Sequence, residues 1–432
     1  MTRPLSIRSV LPESLRARLY RMREKVYMST LYRRTLMQHK VCRIRKKSSI
    51  RVLFISISQA IWKVDSLYRA MQAHPRFEAT ILLAPNMVQK NEQIRREDYQ
   101  NLKAYFEGKG YAYEEWYGIG GETDYPRIPD AYDIVIYPQP YPGLITKNLD
   151  FPRNMNKLML ACEYAFHSGN QEWAFNKYFQ NAAWIDCYEN QALCEYSYQV
   201  KQNKGVNSIA TGLPLVDDFK QGTYASPWKK QVTPCKKIIW APHWTITEEC
   251  SALPCYSNFL ETADFMLQFA SDQKGRIQFA FKPHPWLKRE LYKHPDWGKE
   301  RTDAYYTAWE TNENTQLEQG TYVDLFMTSD ALVHDCSSFC CEYLLTGKPV
   351  FFMARNEEKQ TALLNEMSHA AFYSQYLGYS MNDLQNFLQE QVIQGYDPMK
   401  GRRAETVEKY LIPPHGRSAA ENIIAAILGE TV

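Results

Sequence analysis

No run of eighteen apolar residues occurs in this chain of 432, so no membrane-spanning helix is expected. The N-terminus lacks the apolar core of a signal peptide, which places the expected location in the cytosol. CxxC pairs are missing as well. The ten cysteines stand at 42, 162, 187, 194, 235, 250, 255, 336, 340 and 341. Cys250 and Cys255 flank a loop without two further ligands at metal-site spacing, so neither a zinc ribbon nor a redox motif is visible. The cysteines read as small buried residues of a reducing compartment, and no metal or cofactor is expected. Internal repeats and low-complexity segments are also missing.

What is present is a charge asymmetry. Residues 1–47 hold 14 Lys or Arg against Glu13 and Glu24, a net of +12; with the whole chain at +3, the remainder carries −9. Within this segment Leu11, Leu15, Leu19, Met22 and Val26 recur every three or four residues. That spacing predicts a basic amphipathic helix, a form that can lie on the anionic inner leaflet of a membrane. A solvated helix packed on its own domain has the same pattern. No motif supports nucleic-acid binding, and none is expected. Aromatic residues are plentiful, with 30 Tyr, 19 Phe and 10 Trp, and suit either a saccharide and nucleotide site or a core.

From residue 48 the pattern alternates. RVLFISIS, FEATILLAP and YDIVIYPQP read as buried strands, with DSLYRAMQAH as a helix after the first. Strands near 157–161 and in 182–190 follow, then the strand-loop NSIATGLPLVDDF. A Pro-containing polar stretch at 221–237 reads as a linker, after which the alternation restarts with KKIIWAPHWT. The expected architecture is α/β: two Rossmann-like domains facing a cleft. The expected divisions are a basic helical extension at 1–47, an N-terminal domain at 48–222, a C-terminal domain at 233–412 and a final helix at 413–432.

Ligands of such folds sit beyond the C-terminal ends of strands. His243 follows the strand IIWAP, His284 follows FAFKP, and Ser337 and Ser338 follow ALVHD. The last segment reads as strand, turn, helix and strand, with Gly347 suited to the helix C-cap. Hydroxyls at a helix N-terminus can hold phosphate or merely cap the helix.

APHWT, FKPHP, VHDCSSFCCEYLLTGKPVFF, ATGLPLVDDF and PPHGRSAAENII occur in an order and spacing that resembles the CDP-glycerol glycerophosphotransferase family of teichoic-acid and capsule biosynthesis. The resemblance covers roughly 205–430. Its HP and SS motifs also resemble those of bacterial CMP-sialic acid and capsule transferases. The resemblance implies a GT-B fold and a cytidine-activated donor, CDP-glycerol or a similar CDP-polyol. By motif match His284 contacts donor phosphate and assists the leaving group. Lys282, Ser337 and Ser338 are then donor-phosphate ligands, His243 lines the nucleotide pocket, and Glu342 accepts from ribose hydroxyls. Asp335 is expected to order its loop. The implied acceptor is a lipid-linked or polymeric saccharide.

The N-terminal half departs from that family. Its WHG segment, whose histidine is the acceptor base, is replaced by KLMLACEYAFHSGN, with Cys162 in the histidine's register. Glu163 is the expected base, a carboxylate being competent for that task, with His167 as alternate. Other readings are a CMP-sugar transferase and a non-catalytic capsule-assembly subunit that has lost its base. A UDP-sugar enzyme is disfavoured, because Glu342 has no partner in an E-x7-E arrangement: positions 335 and 349 hold Asp335 and Pro349.

Overall fold

The computed structural model describes residues 13–28, 33–116, 126–138, 143–248 and 255–430. Leu11 of the apolar row, Cys250 and residues 139–142 of the Pro-rich loop lie outside them. The chain forms two compact units. The first comprises residues up to Tyr164, Gln171–Thr211 and the chain from Ala420; the second comprises Ala165–Asn170 and Gly212–Ala419. No helix among the described residues is long and apolar enough to cross a membrane.

The first unit opens with helices α1 (Glu13–Met28) and α2 (Gln38–Arg45). Its sheet contains β1 (Ile50–Ser56), β2 (Phe77–Leu83), β3 (Tyr113–Glu115), β4 (Ile134–Tyr137), β5 (Leu158–Cys162), β6 (Ile185–Tyr188) and β7 (Ser208–Ala210). They lie side by side in the order β3-β2-β1-β4-β5-β6-β7, each pair parallel. Parallel strands are covered on both faces, which is why they read as continuous apolar runs. Val52 and Phe54 enter the core on one face and Leu53 and Ile55 that on the other. The terminal helix α7 (Ala419–Leu428) supplies Ile423 and Ile427 to the first of these cores. Arg45 of α2 donates to its last carbonyls, Ala426 at 3.0 Å and Ile427 at 3.1 Å.

The second unit repeats the design with β8 (Lys236–Ala241), α5 (Phe259–Asp272), β9 (Ile277–Phe281), β10 (Thr315–Leu317), β11 (Ala331–His334), α6 (Ser338–Glu342), β12 (Val350–Met353) and β13 (Tyr376–Gly378). Helix α3 (Asp65–Ala73) holds the crossover place of α5 in the first unit, and α4 (Glu92–Gly108) connects β2 to β3. The second sheet runs β10-β9-β8-β11-β12-β13, again parallel. The expected α/β architecture of two Rossmann-like sheets is therefore borne out. Many of the aromatic residues are core. Trp240 stacks on Phe281 (5.0 Å) and Phe259 (5.7 Å), and Phe281 on Trp309 (5.1 Å).

Candidate active site

Strand order in the second sheet reverses between β8 and β11, so their C-terminal ends diverge into the crevice where ligands of doubly wound sheets bind. Asp335, directly after β11, spans it. Its Oδ1 accepts from the His243 backbone N–H (2.6 Å), and its Oδ2 from Ser257 Oγ (3.1 Å) and Asn258 N–H (2.8 Å). Three segments thus meet on one buried carboxylate: the loop after β8, the entry to α5 and the loop after β11. Burial pushes the Asp335 carboxyl up to about 7, against the downward pull of these hydrogen bonds. The expectation that Asp335 orders its loop matches this geometry. Ser257 and Asn258 were not singled out from sequence, and nothing in their local pattern pointed to them.

The loop after β9 joins the same place, where the His284 N–H donates to Pro242 O (3.0 Å). The rings of His243 and His284 stand 5.1 Å apart. Each ring accepts a backbone N–H at Nδ1, from Thr245 (3.4 Å) and from Trp286 (3.1 Å) respectively. The Thr245 hydroxyl lies 2.9 Å from His243 Nδ1 and accepts the Tyr256 N–H. An accepting Nδ1 places the proton of a neutral imidazole on Nε2. Burial holds both rings neutral, pulling His243 down to about 3, with His284 adding to the shift, and His284 to about 4. The site therefore offers two neutral Nε2–H donors side by side. A diphosphate placed against them favours the protonated form and raises both pKa values, turning a hydrogen-bond donor into an acid.

The remaining donor-side candidates differ in setting. Ser337 occupies the N-cap position of α6 with helical φ/ψ and makes no side-chain capping bond. Ser338 is the first residue of α6, and its side chain lies outside the described ones. The α-helical part spans only Ser338–Glu342 before tightening to a 3₁₀ turn through Thr346, which ends at Gly347 with φ +71° as a C-cap requires. Glu342 is buried on α6. Lys282 sends its Nζ to Gly320 O (2.8 Å) and lies over the Tyr322 ring. Two further residues of these motifs hold the framework. His334 bridges Cys336 O (2.9 Å) and Gln375 Oε1 (2.6 Å). Lys348 donates to the carbonyls of Phe326 (3.2 Å), Met327 (2.6 Å) and Ser329 (2.6 Å).

On the first unit, Cys162 ends β5 opposite Cys187 in register and is fully buried. Its hydrogen bond with Cys187, and then burial, push the thiol well above its usual range, so it does not replace a histidine base. Glu163 follows, buried, with Gln180 Nε2 3.5 Å from its Oε1. Its charge reaches Lys177, opposing the desolvation that lowers that ammonium. His167 belongs to the second unit, where its carbonyl accepts from Asn365 Nδ2. The segment Ala165–Asn170 thus belongs to the second unit between two stretches of the first, which the contiguous sequence does not announce.

Residues 188–367 match the model of a family described as CDP-Glycerol:Poly(glycerophosphate) glycerophosphotransferase. No curated protein matches the chain. Among solved structures, a histidine-to-asparagine variant of the wall teichoic acid polymerase TagF is similar at 12% identity and TM-score 0.54, covering 95% of this chain and 97% of that one. The same variant soaked with CDPG gives 12%, 0.53, 95% and 98%. A UDP-GlcNAc 2-epimerase from Neisseria meningitidis, bound to UDP-GlcNAc, gives 12%, 0.50, 88% and 99%. At these identities the structural likeness speaks for the fold, and the GT-B-type architecture is borne out. The family match spans APHWT, FKPHP and the DCSSF…GKPVFF segment, so the resemblance read from those motifs is borne out there as well.

Proposed function

We infer that this glycerophosphotransferase-like chain takes a polyol phosphate, glycerol phosphate first among them, from a cytidine-diphosphate donor and adds it to a hydroxyl of a cell-surface polymer of the teichoic-acid kind. The observation that carries the reading is the pair of Nε2–H imidazoles held 5.1 Å apart inside the segment matched by the family model. Two neutral donors suit a diphosphate better than a single one does, because charge grows on the leaving phosphate as its bond breaks.

In this scheme the acceptor hydroxyl oxygen attacks the phosphorus that bears the polyol. The bond from that phosphorus to the CMP oxygen breaks, and CMP departs with the electron pair. His284, drawn toward its protonated form by the bound diphosphate, stabilises that charge or returns a proton to it. His243 and Ser337 hold the phosphates, Ser338 is assigned to phosphate by the motif match, and Glu342, one turn into α6, is assigned to the ribose by its position. Glu163 takes the hydroxyl proton. Lys282, whose ammonium also donates to the Gly320 carbonyl, adds positive charge for the phosphates.

Residues of α1 add a membrane surface to the reading. Leu15, Leu19, Met22 and Val26 are exposed along one stripe, with Arg18, Arg21 and Lys25 exposed beside it. Each basic residue contributes roughly 1 kcal/mol near an anionic leaflet. Contact with the inner leaflet would bring the enzyme to a lipid-linked acceptor. The reading is tested by incubating the protein with CDP-glycerol and a glycerophosphate-primed lipid acceptor and measuring CMP release. Acceptor-dependent CMP supports it. CMP-sugars consumed in place of CDP-glycerol would move the chain to the capsule glycosyltransferases, and no turnover with intact nucleotide binding would favour the non-catalytic subunit.

A further inference from the structure

The first unit has a cavity of about 900 Å³ at the N-terminal ends of β4 and β5, the opposite sheet edge from Glu163. Its size lies within the ~300–1,000 Å³ of ligand sites. None of the donor-side residues lines it. Its wall is one face of α2, carrying His39, Lys40 and Arg43, completed by Lys157 from the turn before β5. The buried Val41 and Ile44 fix that helix against the core, so the basic face is held in place.

The charge balance favours an anion. Among the lining residues Lys40, Arg43 and Lys157 face Asp130 and Asp133, a formal excess of one, and Lys47 adjoins Asp133 from outside the cavity. Asp133 is committed to Lys47 (2.6 Å) and to the Arg51 N–H (3.2 Å), and Asp130 to Asn156 (2.7 Å) and Lys157 (3.3 Å). Lys40 donates to Met155 O at 2.8 Å, a neutral acceptor. Burial chiefly, with Arg43 and Lys157 adding to it, pulls its ammonium below the usual range.

The mouth is apolar. Val26 and Leu36 line the cavity and are 58% and 59% exposed. Val26 continues into the exposed row Met22, Leu19 and Leu15 along α1. A cationic interior that opens onto an apolar track matches an amphiphile with a phosphate head.

We propose that this cavity binds the headgroup of one anionic phospholipid, with its acyl chains leaving past Val26 and Leu36 along α1. The proposal rests on the membrane reading above and sharpens it: the segment holds a particular lipid molecule in addition to lying on charge. The basic face of α2 grips the phosphodiester, and the apolar row of α1 sits where the chains enter the bilayer.

The test uses the full chain and two probes: dihexanoyl-phosphatidylglycerol below its micelle concentration, titrated by calorimetry, and phosphatidylcholine vesicles with or without phosphatidylglycerol, followed by co-sedimentation. The wild type is expected to bind the monomeric anionic lipid, with no binding of dihexanoyl-phosphatidylcholine. Arg43→Gln and Lys40→Gln should each weaken that binding about tenfold, and the exposed Leu36→Gln should weaken it while preserving the fold. Arg18→Gln with Lys25→Gln should reduce vesicle binding and leave monomer binding unchanged. Vesicle binding without monomer binding overturns the cavity proposal and leaves the membrane reading standing. Monomer binding without vesicle binding supports the cavity and removes the membrane reading. Displacement of the lipid by inorganic phosphate at equal concentration overturns the lipid assignment in favour of a simple phosphate site.

Discussion

The backbone N–H of His243 donates to Asp335 Oδ1 at 2.6 Å, across the point where the second sheet reverses its strand order. Residues 92 positions apart in sequence thereby fix each other. Asp335 reaches no ligand in this account. It sets the loop that carries His243 and, through the Pro242 carbonyl, the backbone of His284.

Asp335→Asn should therefore weaken nucleotide binding without removing any phosphate contact. An amide offers one oxygen where the carboxylate offers two, so an NH2 group would confront one set of the donors now served by Oδ1 and Oδ2. Leaving a buried donor unsatisfied costs ~1–3 kcal/mol, or roughly 5- to 150-fold in affinity where the loops must be reordered on binding. Calorimetry with CMP on the variant checks this. Wild-type affinity at wild-type stability would show that the carboxylate does not organise the site.

The pH dependence of the second unit follows from its buried groups. His243, His284 and His334 are held down to about 3, 4 and 4, chiefly by burial. Below the ordinary histidine value of about 6.5 the unfolded chain takes up protons that the folded unit refuses, so stability falls as pH drops toward 4. Asp335 acts in the opposite sense. Its raised value of about 7 gives a contribution present below the unfolded value near 4 and lost as pH rises through 7. Three histidines outweigh one carboxyl, so the expected result is a falling Tm between pH 6.5 and 4.5. Asp335→Asn removes the opposing group and should steepen that fall. A shallower fall in the variant would contradict the raised carboxyl.

Glu163→Gln keeps the size of the buried side chain and its neighbour Gln180 while removing the proposed base. Turnover should fall roughly 10²- to 10⁴-fold, with nucleotide affinity unchanged. Cys162→Ser, one residue before Glu163, should leave the rate within a few-fold. Rates compared in single-turnover assays decide it. A normal rate for Glu163→Gln would return the base to another residue.

Much of this arrangement was legible in the sequence, and the reasons are local. Parallel strands buried on both faces are written as apolar runs, so β8, β9 and β11 could be located, and with them the loops bearing His243, His284 and Ser337. The tautomers were not legible, because they depend on the Thr245 and Trp286 N–H groups meeting Nδ1 in space. Nor were Ser257 and Asn258, whose partner lies 77 to 78 residues away. The role of Lys348 was not legible either: its ammonium donates to the carbonyls of Phe326, Met327 and Ser329, just before β11. His167 looked like a neighbour of Glu163 because it stands only a few positions on, but the chain changes units between them.

The central claim is that the paired imidazoles form a cytidine-nucleotide phosphate site. Calorimetric titration of CMP, CDP, UMP and UDP into the wild type and His284→Ala tests it most directly. The account predicts that cytidine nucleotides bind more tightly than uridine nucleotides and that CDP loses about tenfold or more in affinity without His284. A folded wild type that binds none of the four, or binds CDP equally well without His284, would contradict it.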